Sequence, residues 1–416
     1  MLKIFSNPSQ IVTVDTGGTN YKRGNSLSQL NVLTGYSLLI EDNLIKDFIP
    51  NDSLRKYSSY QKIDLKEKII LPGLVECHTH SVFCGSRANE FRDKLNGKSY
   101  EEIANGGGGI TGTVEAVRKA TVNDLIKITG KRIEYFISQG ITTLEIKSGY
   151  GLDFENEIKI LEVIKRLNTI YPIDIVPTFL GAHTFPKEYK NTRNEYVSLI
   201  TGVMLPFIAK NNLAEFCDAF CESTAFSTDE IDMIFSAAKK LGLKIKLHTD
   251  QFSSTGGIKI AIKNQAISVD HLEVINDYDI TEISGTETVC VLLPGVSFFL
   301  NHDYAPARKL IDNNAMVALS TDYNPGSSNI SNLNLIMSLA ALKMEMSIEE
   351  IISAVTINAA KAINKSKTIG SLEINKIADF AIFDTTDYAD IVYSVGKNLN
   401  CMTVKNGDVI YKSIKN

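Results

Sequence analysis

The chain has 416 residues, 44% apolar and 22% charged, the balance of a globular protein long enough for one large core with a smaller companion domain. Its 43 basic and 48 acidic residues leave a net charge of -5, with lysines scattered through the chain, which excludes the concentrated basic footprint of a nucleic-acid binder. The opening Met1-Leu2-Lys3-Ile4-Phe5-Ser6-Asn7-Pro8 lacks the apolar core of a signal peptide, and the most apolar piece, 288–300, is broken by Pro294-Gly295. A cytoplasmic protein without membrane partners is therefore expected.

From residue 1 to about 67 the chain shows short β-prone pieces, Gln10 to Val14 and Ser37 to Ile40, with a polar connection at 51–61. The end of the chain is similar: Ile377 to Asp384 reads as a strand, and Thr403 to Tyr411 as a hairpin turning at Asn406-Gly407. Neither end buries much surface alone, so both termini are expected to pair into one small β-sandwich-like domain, formed from 1–67 and 363–416.

Between them, over 68–362, strand and helix signals alternate. Strands are expected at 68–76, 141–147, 173–181, 214–221, 243–248, 266–271, 288–293 and 316–321. The intervening segments 123–138, 154–167 and 228–241 carry apolar residues at three- and four-residue spacing, with Thr121 and Thr228 as candidate caps. Eight parallel strands joined by helices are what a closed α/β barrel of the (β/α)8, TIM-like type requires.

Chemistry in such a barrel gathers at the carboxyl ends of the strands. The first strand ends in His78-Thr79-His80, whose alternate side chains point to one side of an extended chain. His183 follows the third strand, Glu222 the fourth, His248 the fifth, His271 the sixth and Asp322 the eighth. Five of the six histidines thus fall at strand ends. No lysine closes the fourth strand to bridge two metals as a carbamate. Cys217 and Cys221 lie on one face of a strand and are expected in the core rather than on a metal; the six cysteines as a whole show no disulfide framework.

His78, His80 and His248 with the carboxylate of Asp322 make a four-donor set for one metal ion per subunit, zinc or iron (Zn2+ or Fe2+/Fe3+). A water on such a cation loses its proton near neutral pH, and the hydroxide attacks a carbonyl carbon. Asp322 would take that proton and pass it to the leaving nitrogen, while His271 or His183 donates to the oxyanion.

The arrangement Pro72-Gly73 through His78-Thr79-His80, with His248, His271 and Asp322 at later strand ends, resembles the metal-dependent amidohydrolases. The likeness spans the whole chain. It includes Phe83 and Arg87, Asn105 to Ile110 with Thr113 and Arg118, Glu145 to Leu152, Gly181-Ala182-His183, His248 to Phe252, Tyr304 to Arg308, and Ser320 to Ser327. Within that superfamily the chain is similar to the branch that opens 4-imidazolone-5-propanoate to N-formimidoyl-L-glutamate in histidine breakdown. The resemblance implies metal ligands His78, His80, His248 and Asp322, and substrate contacts from Arg87, Tyr150, His183, Gln251, Asn324, Gly326 and Ser327. It also implies a single metal, with Glu222 supporting the ligands. A homodimer is the expected assembly for a large cytosolic enzyme.

Arginine suits the substrate's propionate, because its fork meets a carboxylate bidentately. Gln251 occupies the place where relatives that deaminate heterocycles carry a glutamate, and an amide cannot shuttle a proton. Ring opening is accordingly expected over the two alternatives, a heterocycle deaminase and an amidohydrolase-fold binding protein without catalysis. The run Gly106 to Gly109 lacks a Gly-Lys-Ser/Thr ending and is read as a turn at the site's mouth, with 301–304 as another covering segment.

Overall fold

The computed structural model describes residues 2–97 and 108–413; Asn105, Gly106 and Gly107 of the glycine-run expectation lie outside the described residues. Eight strands form one parallel sheet in chain order: β1 (Leu74–Glu76), β2 (Ile141–Lys147), β3 (Asp174–Ala182), β4 (Phe216–Cys221), β5 (Lys244–Thr249), β6 (Ser268–His271), β7 (Val289–Leu292) and β8 (Met316–Leu319). The first and last strands meet just beyond their ends, where Thr79 and Tyr323 form a parallel bridge and the His80 N–H donates to the Tyr323 carbonyl at 3.0 Å. The sheet therefore curls into a TIM-like barrel, and its closure lies at the carboxyl rim.

Helices cover the outside because their caps and apolar stripes agree. Val122–Ser138 opens with a capping box between Thr121 and Asp124, and Phe154–Ile170 is capped by Asp153. Thr228–Lys240 is capped by Ser227, which shares a box with Glu230, so Thr228 is the first helical residue and not the expected cap.

The expected strand 68–76 is two strands. Ile69–Pro72 pairs with Phe380–Phe383 and Gln10–Val12 in a terminal sheet, and only Leu74–Glu76 enters the barrel. The break is at Gly73, where an added Cβ would lie 2.2 Å from Thr142 Oγ1 on β2. The barrel thus starts at Leu74 and not at residue 68.

Two sheets form the terminal domain. One is ordered Leu44–Pro50, Tyr36–Glu41, Leu2–Ser6, Gln61–Asp64; the other is ordered Asp408–Lys412, Asn400–Lys405, Phe380–Phe383, Ile69–Pro72, Gln10–Val12, Val32–Leu33. Phe5, Leu38 and Ile40 from the first pack on Ile70, Phe380, Ile382 and Val404 from the second. The rings of Phe5 and Phe380 meet edge to face, centroids 4.8 Å apart. The C-terminal hairpin turns on Asn406 (φ +52°) and Gly407 (φ +77°), the left-handed pair a two-residue turn needs.

Candidate active site

His78 and His80 follow β1, His248 lies near the end of β5, and Asp322 follows β8; all four side chains are buried. Asp322 Oδ1 is 3.3 Å from Nε2 of both His78 and His80, and His248 Nε2 is 3.5 Å from His80 Nε2. His78 Nε2 and Asp322 Oδ1 are buried with no hydrogen-bond partner. Donor atoms of His78, His80 and Asp322 all lie within 4.8 Å of one another, as do those of His78, His248 and His271; buried imidazoles and a carboxylate gathered in this way have the chemistry of a cation site and suit zinc or iron. Asp322 is held at φ +49° and His271 at φ +90°, backbone strain of the kind that gathers at functional sites.

Burial lowers the basicity of His80 and His248, leaving His248 well below the ordinary histidine range. In His78, burial and Lys147 also push downward, but the carboxylates of Asp270 and Asp322 outweigh them and raise its pKa to about 9. Burial would raise Asp322, yet its contacts with His78 and His80 hold it well below the carboxylate range.

Two of the candidate ligand imidazoles are held from behind. His78 Nδ1 lies 2.6 Å from Asp270 Oδ2 on β6, and His248 Nδ1 lies 3.1 Å from Asp218 Oδ1 on β4. A carboxylate there takes the Nδ1–H and turns the Nε2 lone pair toward the metal position. Ser268 Oγ donates to Asp270 Oδ1 at 2.6 Å, and Lys147 on β2 reaches Glu145 and Asp218.

Above the donors opens a cavity of about 590 Å³ lined by His80, Arg87, Tyr150, His183, His248, Gln251, His271, Asp322, Asn324, Gly326 and Ser327, with Phe91, Phe252, Phe299 and His302 among the outer wall. Every residue expected to contact substrate is on this wall. Arg87 Nε is 2.8 Å from Glu90 Oε2, and an added Cβ at Gly326 would lie 2.2 Å from Arg87 Nη1, so glycine there makes room for the guanidinium. The Asn324 amide is spent within its own loop. It donates to the Asp322 carbonyl (2.7 Å) and Ser327 Oγ (2.9 Å) and accepts from the N–H groups of Gly326 and Ser327.

His183 Nδ1 donates to the Gly149 carbonyl at 3.0 Å, and burial pushes its pKa down to about 3. The neutral ring thus presents Nε2 to the cavity as an acceptor, not as the oxyanion donor that the strand-end position alone suggested. His271 Nδ1 is 3.5 Å from Glu273 Oε1.

The sequence matches the model of the amidohydrolase family over residues 69–410. The chain belongs to the amidohydrolase family. Curated relatives named imidazolonepropionase include that of Clostridium tetani, 42% identical over 412 residues with 98% of each chain covered. Those of Geobacillus thermodenitrificans (44% identical, 92% of each chain) and Thermoanaerobacter pseudethanolicus (46% identical, 84% of this chain and 85% of the relative) agree. Among solved structures, E. coli guanine deaminase superposes with TM-score 0.72 at 13% identity, covering both chains fully. An adenosine deaminase from Xanthomonas campestris with bound zinc gives TM-score 0.70 at 14% identity, over 98% of this chain and 92% of that one. At such identities these two report the fold alone.

In this amidohydrolase Glu222 does not face the four donors. Its carboxylate accepts from the N–H groups of Ser223 (2.9 Å), Phe252 (3.0 Å) and Ser253 (3.1 Å) and from the hydroxyl of Ser253, so it fixes the loop that carries Gln251. Cys217 and Cys221 are core residues, as expected. The residues that sequence reasoning passed over are Glu145, Lys147, Asp218, Lys246 and Asp270. Their signal was available: each is a charge inside an expected barrel strand, and Glu145 with Lys147, or Lys246 with His248, share the inward face by alternation.

Proposed function

We propose that this amidohydrolase hydrolyses the cyclic amide C–N bond of 4-imidazolone-5-propanoate, giving N-formimidoyl-L-glutamate. The observation that carries the reading is the meeting of His78, His80, His248 and Asp322 beneath a cavity whose wall holds Arg87. Relatives named imidazolonepropionase over nearly the whole chain support it.

Those four residues would hold one zinc or iron ion, which when bound acidifies water and polarises a carbonyl. Asp322, with Oδ1 turned to the imidazoles, takes the proton of the attacking water on Oδ2 and returns it to the ring nitrogen as the C–N bond breaks. Arg87 binds the propionate, in the space that Gly326 leaves open. The His183 Nε2 accepts a ring N–H of the substrate, and His271, whose Nδ1 faces Glu273 Oε1, lines the same wall beside the reacting carbonyl. Gln251 orients the ring without exchanging protons, which favours ring opening over ammonia release.

The test is incubation of zinc- or iron-loaded protein with freshly prepared imidazolone propionate, following loss of the ring chromophore and measuring bound metal. Turnover with about one metal per chain is expected. No turnover, with ammonia released from an aminated heterocycle instead, would overturn the reading in favour of a deaminase.

A further inference from the structure

Beneath the four donors lies a charged layer that the reaction above leaves without a task. Lys147 is wholly buried, and its Nζ lies 2.8 Å from Glu145 Oε1, 2.8 Å from Asp218 Oδ2 and 3.8 Å from Asp270 Oδ2. Burying an ammonium and its carboxylates costs stability that an apolar side chain of similar volume would not. Stability alone therefore gives no reason for the charge.

The reason lies in what else each carboxylate holds. Asp218 turns its second oxygen to His248 Nδ1 at 3.1 Å, and Asp270 meets His78 Nδ1 at 2.6 Å. Glu145 Oε2 accepts the N–H of Thr79 at 3.2 Å, the residue between His78 and His80, and the Thr79 hydroxyl donates to the Glu145 carbonyl at 2.7 Å. Lys246 offsets Asp270 from another direction, 3.7 Å away, and otherwise donates to the carbonyls of Cys77 and Ala362. Lys147 is thus the ammonium that ties Glu145 to Asp218. Without it these two buried anions repel, and as they part they carry the His248 ring and the Thr79 backbone with them.

We propose that Lys147 is a positioning residue for the metal centre: its ammonium locks the carboxylates that aim His248 and His78, and the segment carrying His80, at one point. The inference rests on the four-donor reading given above. It assigns Lys147 no contact with substrate.

The test is zinc affinity of the metal-stripped full chain, read by competition with a chromophoric chelator and thus independent of turnover. Lys147→Met keeps the stem and removes the charge; binding about 10- to 100-fold weaker is expected, the usual effect of losing a partner of a ligand residue. Lys147→Met/Glu145→Gln removes one repelling anion while the amide oxygen still accepts from Thr79, and should recover most of the loss. Parental affinity in the single variant, or a folded double variant as weak as the single one, would overturn the proposal. If Lys147→Met fails to fold, the double variant decides; should that also fail to fold, Lys147 belongs to the fold's own requirements and the proposal falls. Failure of the parent chain to bind zinc or iron would instead strike the metal-centre reading itself.

Discussion

Asp322 combines two demands in one carboxylate. Its Oδ1 stands 3.3 Å from two imidazoles while its backbone is held at φ +49°. Asp322→Asn keeps the size but cannot carry a proton, so kcat should fall by about 10²- to 10⁴-fold, the range for a lost general acid-base. Three imidazoles remain to hold metal, and metal content measured beside kcat separates the two roles; near-parental turnover would remove Asp322 from proton transfer. Across the cavity, Gly326→Ala drives a methyl into Arg87 Nη1. KM should rise about ten- to a hundredfold, the worth of a hydrogen bond to a charged group, with kcat much less changed. An unchanged KM would separate Arg87 from the propionate. The His-x-His spacing was legible in the sequence because strand alternation alone puts both rings on one side. The partners of His183 and Asn324 were not, since the Gly149 carbonyl and the turn at Gly326-Ser327 reach them only through the folded loops.

Strands were legible as elements wherever an apolar run was bounded by turn residues, and seven of the eight barrel strands fall within about two residues of expectation, as boundary uncertainty in such readings allows. The exception teaches why. The run from Ile69 to Val75 is buried throughout, so nothing in its hydropathy marks the passage from one sheet to another. Gly73 marks it by shape: its N–H donates to the Asp379 carbonyl at 2.9 Å, the next N–H, that of Leu74, donates to the Gly140 carbonyl at 3.0 Å, and Thr142 closes on the space where a side chain would be. Gly73→Ala should therefore cost about 1–3 kcal/mol, the penalty for overpacking a well-filled core. A melting temperature equal to the parent's would show that β1 can shift away from β2 without loss. Because β1 leads directly into His78 and His80, zinc affinity should weaken in the same variant.

At the scale of the whole molecule, the question is what keeps a sandwich made from the two chain ends seated against the barrel. Resemblance of both ends as short β-prone pieces made the domain legible, but not its fastening, which includes an ion pair between residues more than two hundred positions apart. Lys405, at the end of strand Asn400–Lys405, is buried with Nζ 2.5 Å from Asp379 Oδ2 and 2.6 Å from Asp174 Oδ2. Asp174 begins β3 of the barrel, while Asp379 accepts from Asn406 N–H in the sandwich and gives its carbonyl to Gly73 at the junction. One ammonium thus joins both bodies beside the point where the chain crosses between them. Lys405→Met leaves Asp379 buried and without its countercharge, and breaking a buried pair from one side costs about 3–5 kcal/mol. Asp174 is more than half exposed and adds little to that figure, because water screens it. The urea midpoint should drop accordingly, and Lys405→Met/Asp379→Asn, which removes the stranded charge, should regain most of the difference. If the single variant unfolds at the parental midpoint, or the double variant fares no better than the single, the ion pair is incidental and other contacts, such as those of Asn400 and Thr403 with the Ser138 and Ile137 carbonyls, seat the sandwich.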